Sequence, residues 1–203
     1  MMKKIINVSV TGHRGDKLTI RDEKYGYNIN SEENKILRAM FYDKFKSLFK
    51  HYRPKIMNVY VGGALGTDQV AFQAAFEFKQ KYGNKLDVKI HLCLPDNKVN
   101  PKWNKENKTV HKLQKSLADR VISVNEVKGY DADEFNDIYK RRNQYMVDNG
   151  NDILLAVFDG SSYNSGTFST INYAKKKKVK IYYFPLDYMY DVANFNHNKC
   201  FFK

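Results

Sequence analysis

The sequence is poor in the residues that build disulfide, metal and membrane proteins. Two cysteines in 203 residues, Cys93 and Cys200, form no metal or redox motif, which argues against a disulfide-stapled scaffold. Cys93 lies inside an apolar run and is expected in the core; a reducing, cytoplasmic setting is the expectation that goes with it. No stretch reaches the ~18 apolar residues of a membrane span, so no membrane partner is expected. The start, MMKKIINVSV, is basic and then apolar. Asn7 and Ser9 interrupt it, however, and TGHR follows, the pattern of a first strand rather than of a signal peptide. No second histidine stands at metal-ligand spacing from His13, and neither a metal nor a cofactor is expected. Acidic residues are in deficit: 22 Asp plus Glu face 35 Lys plus Arg, for a formal charge of +13. That favours an anionic partner, whether nucleotide, nucleic acid or acidic surface. The lysines are scattered along the chain, which equally suits a solvated surface.

What is present is a core and an alternation. Apolar residues make up 42% and aromatics 14%, enough for one domain over residues 1–203 with an irregular tail from about 186. No internal repeat or low-complexity linker divides it. KIINVSV, IMNVYV, VKIHLCL, RVISV, DILLAVF and VKIYYF read as strands. Between them, NSEENKILRAMFYDKFKSLFKHY, TDQVAFQAAFEFKQKY, NKTVHKLQKSLA, DADEFNDIYKRRNQYMVDN and GTFSTINYAKKKK read as helices. In the first helix Asn30 is placed to cap, with Glu33 three residues on, and Ile36, Leu37, Met40, Phe41, Phe45, Leu48 and Phe49 share a face. In the third, Val110, Leu113 and Leu117 are expected inward. Strands alternating with helices give an α/β, Rossmann-like, mostly parallel sheet of about six strands with helices on both faces.

Ligands of such sheets bind beyond the carboxyl ends of the strands. Three of those ends turn to Gly, Thr, Ser and Asp. After the first strand, Thr11 offers a hydroxyl, Gly12 a bare backbone and Arg14 a forked cation suited to phosphate or carboxylate; His13 stands between them. After the second strand, GGALGTD brings Gly62, Gly63, Gly66 and Thr67 to a helix N-terminus, where amide N–H groups favour an anion. It is neither the P-loop pattern nor G-x-G-x-x-G. Asp68 either caps that helix or holds a ribose hydroxyl. After the fifth strand, DGSSYNSGT repeats the device with Asp159, Gly160, Ser165, Gly166 and Thr167. Arg142 is a fourth signal. At about 100° per residue it falls within the apolar stripe of Phe135, Ile138, Tyr139 and Met146. A guanidinium buried there needs a carboxylate, carbonyls or a bound anion.

TGHR, GGALGTD, LPDNKVNPKW and RRNQYMVDNGNDILLAVFDGSSYNSGT together resemble the YpsA-like proteins of the SLOG superfamily, from Val8 to about Phe184. That superfamily also holds the Lonely-guy phosphoribohydrolases and the DNA-processing protein DprA. The resemblance implies a Rossmann-like fold that binds nucleotides or nucleotide-derived ligands. It sets Arg142 and Met146 at the Arg and Met of the Lonely-guy RKxxM motif, and Gly166-Thr167 at its later Gly-Thr. The catalytic Glu of that motif is Thr170 here, and Val70 stands at the same spacing after Gly66-Thr67. The catalytic residue is therefore unknown, with Asp68 and Asp159 the weak candidates.

The resemblance implies a binder of a nucleotide-derived, signalling ligand, of the kind used in phage and bacterial conflict, that sequesters it without turnover. It leaves open a nucleoside or nucleotide N-glycosidic hydrolase or deoxyribosyltransferase, and single-stranded DNA binding as in DprA. AKKKKVK, residues 174–180, is the densest basic run and suits either DNA or a solvated helix end. Trp103, the only tryptophan, either stacks on a base or covers the sheet edge. The loop from Gly15 to Asn30, with Tyr25 and Tyr27, has the length of a lid. Relatives often form dimers, so a homo-oligomer is expected, with the exposed side of the first helix a candidate interface.

Overall fold

The computed structural model describes residues 4–14, 18, 28–96, 98, 102–131, 135–160 and 163–187, with only the backbone of Phe135 and Asn136. Most of the proposed lid, Tyr25 and Tyr27 included, and the tail from 188 lie outside the described residues. In chain order the elements are β1 (Ile5–Gly12), α1 (Glu32–Tyr52), β2 (Ile56–Val61), α2 (Thr67–Tyr82), β3 (Asp87–Leu94), α3 (Lys105–Leu117), β4 (Arg120–Ser123), α4 (Phe135–Asn149), β5 (Ile153–Val157), α5 (Gly166–Lys176) and β6 (Lys180–Phe184). A 3-10 turn, Val124–Glu126, follows β4.

All six strands form one parallel sheet in the order β4-β3-β2-β1-β5-β6. Sides alternate along each strand. On β1, Ile6, Val8 and Val10 enter the main core, where Phe41 and Phe45 of α1 meet Phe72 and Phe78 of α2. The Phe45 and Phe78 rings lie 6.0 Å apart, and Phe41 lies 4.5 Å from Phe184 of β6. On the opposite side, Leu154 and Ala156 of β5 meet Val147 of α4 and Ile171 and Ala174 of α5. Cys93 belongs to a third cluster with Ile122, Tyr145 and Met146. So α1, α2 and α3 follow one face while α4 and α5 follow the other. The chain reverses direction across the sheet between β1 and β5, which is where an open α/β sheet leaves its ligand crevice.

Two local expectations are corrected. The cap of α1 is Ser31, not Asn30: the Ser31 hydroxyl accepts from Asn34 N at 3.3 Å. Two cap-competent residues are adjacent here, and the loop decides between them. The inward face of α3 is polar. Asn107, His111 and Gln114 are buried, whereas Leu113 is 56% exposed; Val110 and Leu117 pack only partly against the core. Among the described residues, no helix is long and apolar enough to cross a membrane.

Candidate functional site

The ends of β2, β1 and β5 lie side by side, so their three loops converge. Both Gly-Thr turns are fastened to the loop after β1. Thr67 donates from N and Oγ1 to His13 O, at 3.2 and 2.9 Å. Thr167 donates from Oγ1 to Gly12 O at 2.9 Å. Gly12 is bare because Thr67 presses on it: a Cβ there would collide with the threonine side chain. Each threonine hydroxyl therefore donates to a loop carbonyl and ties a helix N-terminus to β1. Thr11 is buried just before the loop, and Arg14 is exposed just after it.

His13 is buried, 5.5 Å from the Phe158 ring. Its Nε2 accepts from Asp159 N at 3.1 Å and lies 3.1 Å from Asp159 Oδ1. Asp159 itself is exposed, as is Gly160, whose φ of 81° suits glycine. Ser165 caps α5, accepting from Phe168 N at 3.1 Å. Gly166 begins that helix beside Asn143: a Cβ would stand 3.8 Å from the Asn143 amide nitrogen. Thr170, at the position of the Lonely-guy glutamate, donates to Gly166 O at 2.7 Å.

The second loop does cradle a carboxyl group, and that group belongs to the protein. Asp68 is buried in the first turn of α2 and accepts from Ala64 N at 3.1 Å, with a further backbone bond from Gly62. Gly66, at φ 99°, turns the chain into α2 just before it. Arg142 reaches Asp68 Oδ2 through Nη1 at 3.4 Å. Burial raises the Asp68 pKa above the ordinary carboxylate value, against the pull of Arg142 and the loop amides. Arg142 is 7% exposed, and its Nε is buried without a hydrogen-bond partner. The stripe expectation for Arg142 holds in part: Arg142, Ile138 and Met146 are buried, Tyr139 is only half-buried, and the side chain of Phe135 lies outside the described residues. Burial pushes the nearby Cys93 thiol up to about 12, so it stays protonated.

Trp103 is half-buried. Its ring meets His111 edge-on at 5.3 Å. His111 in turn borders the second loop, for a Cβ on Gly63 would stand 3.5 Å from His111 Cε1 and 2.8 Å from Leu94 Cδ2. The structure therefore brings the predicted residues together in three groups. Gly12, His13, Thr67, Thr167 and Asp159 form one. Gly62, Asp68 and Arg142 form another, and Gly63 and Trp103 meet through His111. Sequence reasoning did not foresee that the polar side chains of Gln69, Asn107, His111 and Gln114 are buried. The signal was a polar stripe on α3 at i, i+4 and i+7, overlooked in favour of the leucines. Among the described residues, no group of three or more His, Cys, Asp or Glu is placed to hold a metal ion.

Residues 8–191 match the family model YpsA, the YspA SLOG family. The chain belongs to that family. A stretch of 121 residues is 36% identical to the uncharacterized SPbeta prophage-derived protein YoqJ of Bacillus subtilis (strain 168). The match spans 57% of this chain and 67% of that protein. For a SLOG family member, the convergence of these loops at the reversal point of the sheet marks the candidate crevice.

Proposed function

We propose that this protein binds a nucleotide or nucleotide-derived signalling ligand at the C-terminal edge of its sheet and holds it without turnover. The observation that carries the reading is Arg142, a buried guanidinium with one long ion pair and an unpaired Nε. A charge in that position is strongly disfavoured unless something else meets it, and a phosphate or carboxylate fits a guanidinium edge. Asp68 orients Arg142 from the loop side, and the N-terminus of α5 supplies amides for the same anion. Membership of a SLOG family supports a nucleotide-related ligand. Retention without cleavage is supported by Thr170, whose hydroxyl is turned onto Gly166, and by Asp68, which is already engaged with Ala64 and Arg142.

Two measurements test this. Calorimetry should show Arg142→Ala losing at least about tenfold in affinity, ~1.4 kcal/mol, while Arg120→Ala, an exposed control, stays near wild type. Equal affinities would remove Arg142 from the site. A thermal-shift screen against mono-, di- and cyclic nucleotides, NAD and ADP-ribose derivatives, with each hit recovered for mass spectrometry, tests retention. A ligand recovered intact supports a binding protein. A released base replaces that reading with an N-glycosidic hydrolase or transferase. No shift with any of them overturns it for these ligands and turns the search to nucleic acid or to a signal outside that panel.

A further inference from the structure

The loop after β5 leaves an aromatic ring in water at the rim of the candidate crevice. Tyr163 is 68% exposed, more than Leu113 at 56% or Tyr183 at 50%. A lone exposed apolar side chain is ordinary on a protein surface. Tyr163 differs because it is held. Its ring meets Phe168 edge-on, with 5.2 Å between centroids and 90° between planes. Phe168 rests on Phe158 at 6.0 Å, and Phe158 on the buried His13 at 5.5 Å. Phe168 is fixed along the backbone too, since its N–H donates to the Ser165 hydroxyl at 3.1 Å. The four rings thus form one row, from the loop after β1 past the end of β5 to solvent beside the first turn of α5. Phe158 and Phe168 are half-buried, so the row opens outward and its last ring is accessible.

Edge-to-face contact is a preferred arrangement of aromatic rings. Whichever ring presents its edge, the contact fixes Tyr163 and covers at most one of its faces. The other face is a rigid, open plane, and a plane already oriented loses little freedom when a ligand lies on it. The place of the ring selects the part of the ligand it meets. Tyr163 stands two residues before Ser165, the cap of α5, and Gly166, the first residue of that helix, is exposed. The turn that offers amides to a phosphate therefore also carries the ring, and a nucleotide holds its flat base one sugar away from its phosphate. We infer that Tyr163 is the stacking platform for the base of the bound nucleotide, and that it favours purine over pyrimidine nucleotides by ring area. The inference rests on the proposed nucleotide reading. It adds where the base lies and what chooses it, the face of the base rather than its hydrogen-bonding edge. Adenine and guanine both fit such a platform, because stacking on an aromatic side chain tolerates changes at the edge.

Tyr163→Ala removes the plane, and Tyr163→Phe keeps it while removing the hydroxyl. The probes are the adenosine, guanosine, cytidine and uridine monophosphates and ribose 5-phosphate, measured by calorimetry, with thermal melting of each unliganded protein alongside. Wild type should bind both purine nucleotides at least about fivefold tighter than ribose 5-phosphate, the low end for one base–aromatic stack, with the pyrimidine nucleotides in between. Tyr163→Ala should keep ribose 5-phosphate within about twofold of wild type and bring the purine nucleotides down to meet it. It should also melt within about 2 °C of wild type, as an exposed side chain allows. Tyr163→Phe should bind every probe as wild type does. Purine nucleotides bound equally well by Tyr163→Ala and wild type would overturn the platform and leave the nucleotide reading standing. So would a Tyr163→Ala protein that loses ribose 5-phosphate as steeply as the nucleotides, or that melts several degrees lower, since the ring would then be shaping the loop. A Tyr163→Phe protein as weak as Tyr163→Ala would assign the effect to the hydroxyl and overturn stacking, and pyrimidine nucleotides bound as tightly as purines would overturn the choice by ring area. Wild type that binds none of the probes would overturn both the platform and the reading beneath it.

Discussion

Gly62 shows how tightly single residues are fixed at this site. A Cβ there would overlap the Arg142 guanidinium and the Asp68 carboxylate, so the glycine is demanded by a charge pair and not by a turn. Gly62→Ala has to push Arg142 off Asp68 inside a closed space. We expect a loss of about 1–3 kcal/mol in urea unfolding, the usual range for overpacking, with ligand affinity falling in parallel with Arg142→Ala. Gly160 is the contrasting case. Its φ is 81° and nothing lies within 4 Å of an added Cβ, so Gly160→Ala should lose only the ~1 kcal/mol of the left-handed backbone. A Gly62→Ala protein as stable as wild type would show that the guanidinium moves freely. Arg142 was legible in the sequence because a cation inside an apolar stripe stands out. Its partner was not, since Asp68 reads equally well as a helix cap or a sugar ligand. Only the folded loop shows its carboxylate against Ala64 N and Arg142.

Among the elements, α4 and α5 are held together at the end of α4 by one carboxylate. Asp148 accepts from Tyr130 Oη at 2.7 Å, from Tyr173 Oη at 2.9 Å and from Lys177 Nζ at 2.9 Å. Burial first, and then the hydrogen bond to Asp148, raises the Tyr130 pKa; Tyr173 is raised for the same reasons in the same order. A phenol whose folded pKa is raised contributes stability that is complete below its unfolded value near 10 and is lost as pH climbs through the folded value. Wild type should therefore lose stability steeply above pH 10. Asp148→Asn, with the negative charge gone, should start less stable and show a shallower slope there. Urea midpoints from pH 8 to pH 11 give both, and parallel curves would mean the tyrosines do not titrate against Asp148. The elements themselves were largely legible, because apolar alternation and helical stripes mark them. The exception is α3. Its leucine spacing promised an apolar face, but a sequence pattern assumes a dry neighbour. Here the neighbour is the Gln69–Gln73 side of α2, so Asn107, His111 and Gln114 turn inward and Leu113 turns out.

At the scale of the whole molecule, the alternation of strands and helices was enough to read the parallel sheet. The fastening of both Gly-Thr turns to one loop was not, because it depends on β1 lying between β2 and β5. Charge is the property that no single element explains. The net +13 comes largely from lysines spread over the surface, and part of the densest basic run is already engaged: Lys177 pairs with Asp148 and Lys180 lies over the Tyr182 ring. A ligand held by a buried Arg142 is shielded from salt, whereas a strand of phosphates lying on surface lysines releases counterions as it binds. Between 50 and 200 mM salt, the Kd of a pocket-bound nucleotide should therefore change by no more than a few fold. Binding of a single-stranded oligonucleotide through about six or more phosphates should weaken by roughly a hundredfold or more. Titrating both ligands across that range separates the two roles of the charge. If the nucleotide weakens as steeply as the oligonucleotide, its phosphate sits on the lysine surface, and the buried guanidinium has to be satisfied by something else.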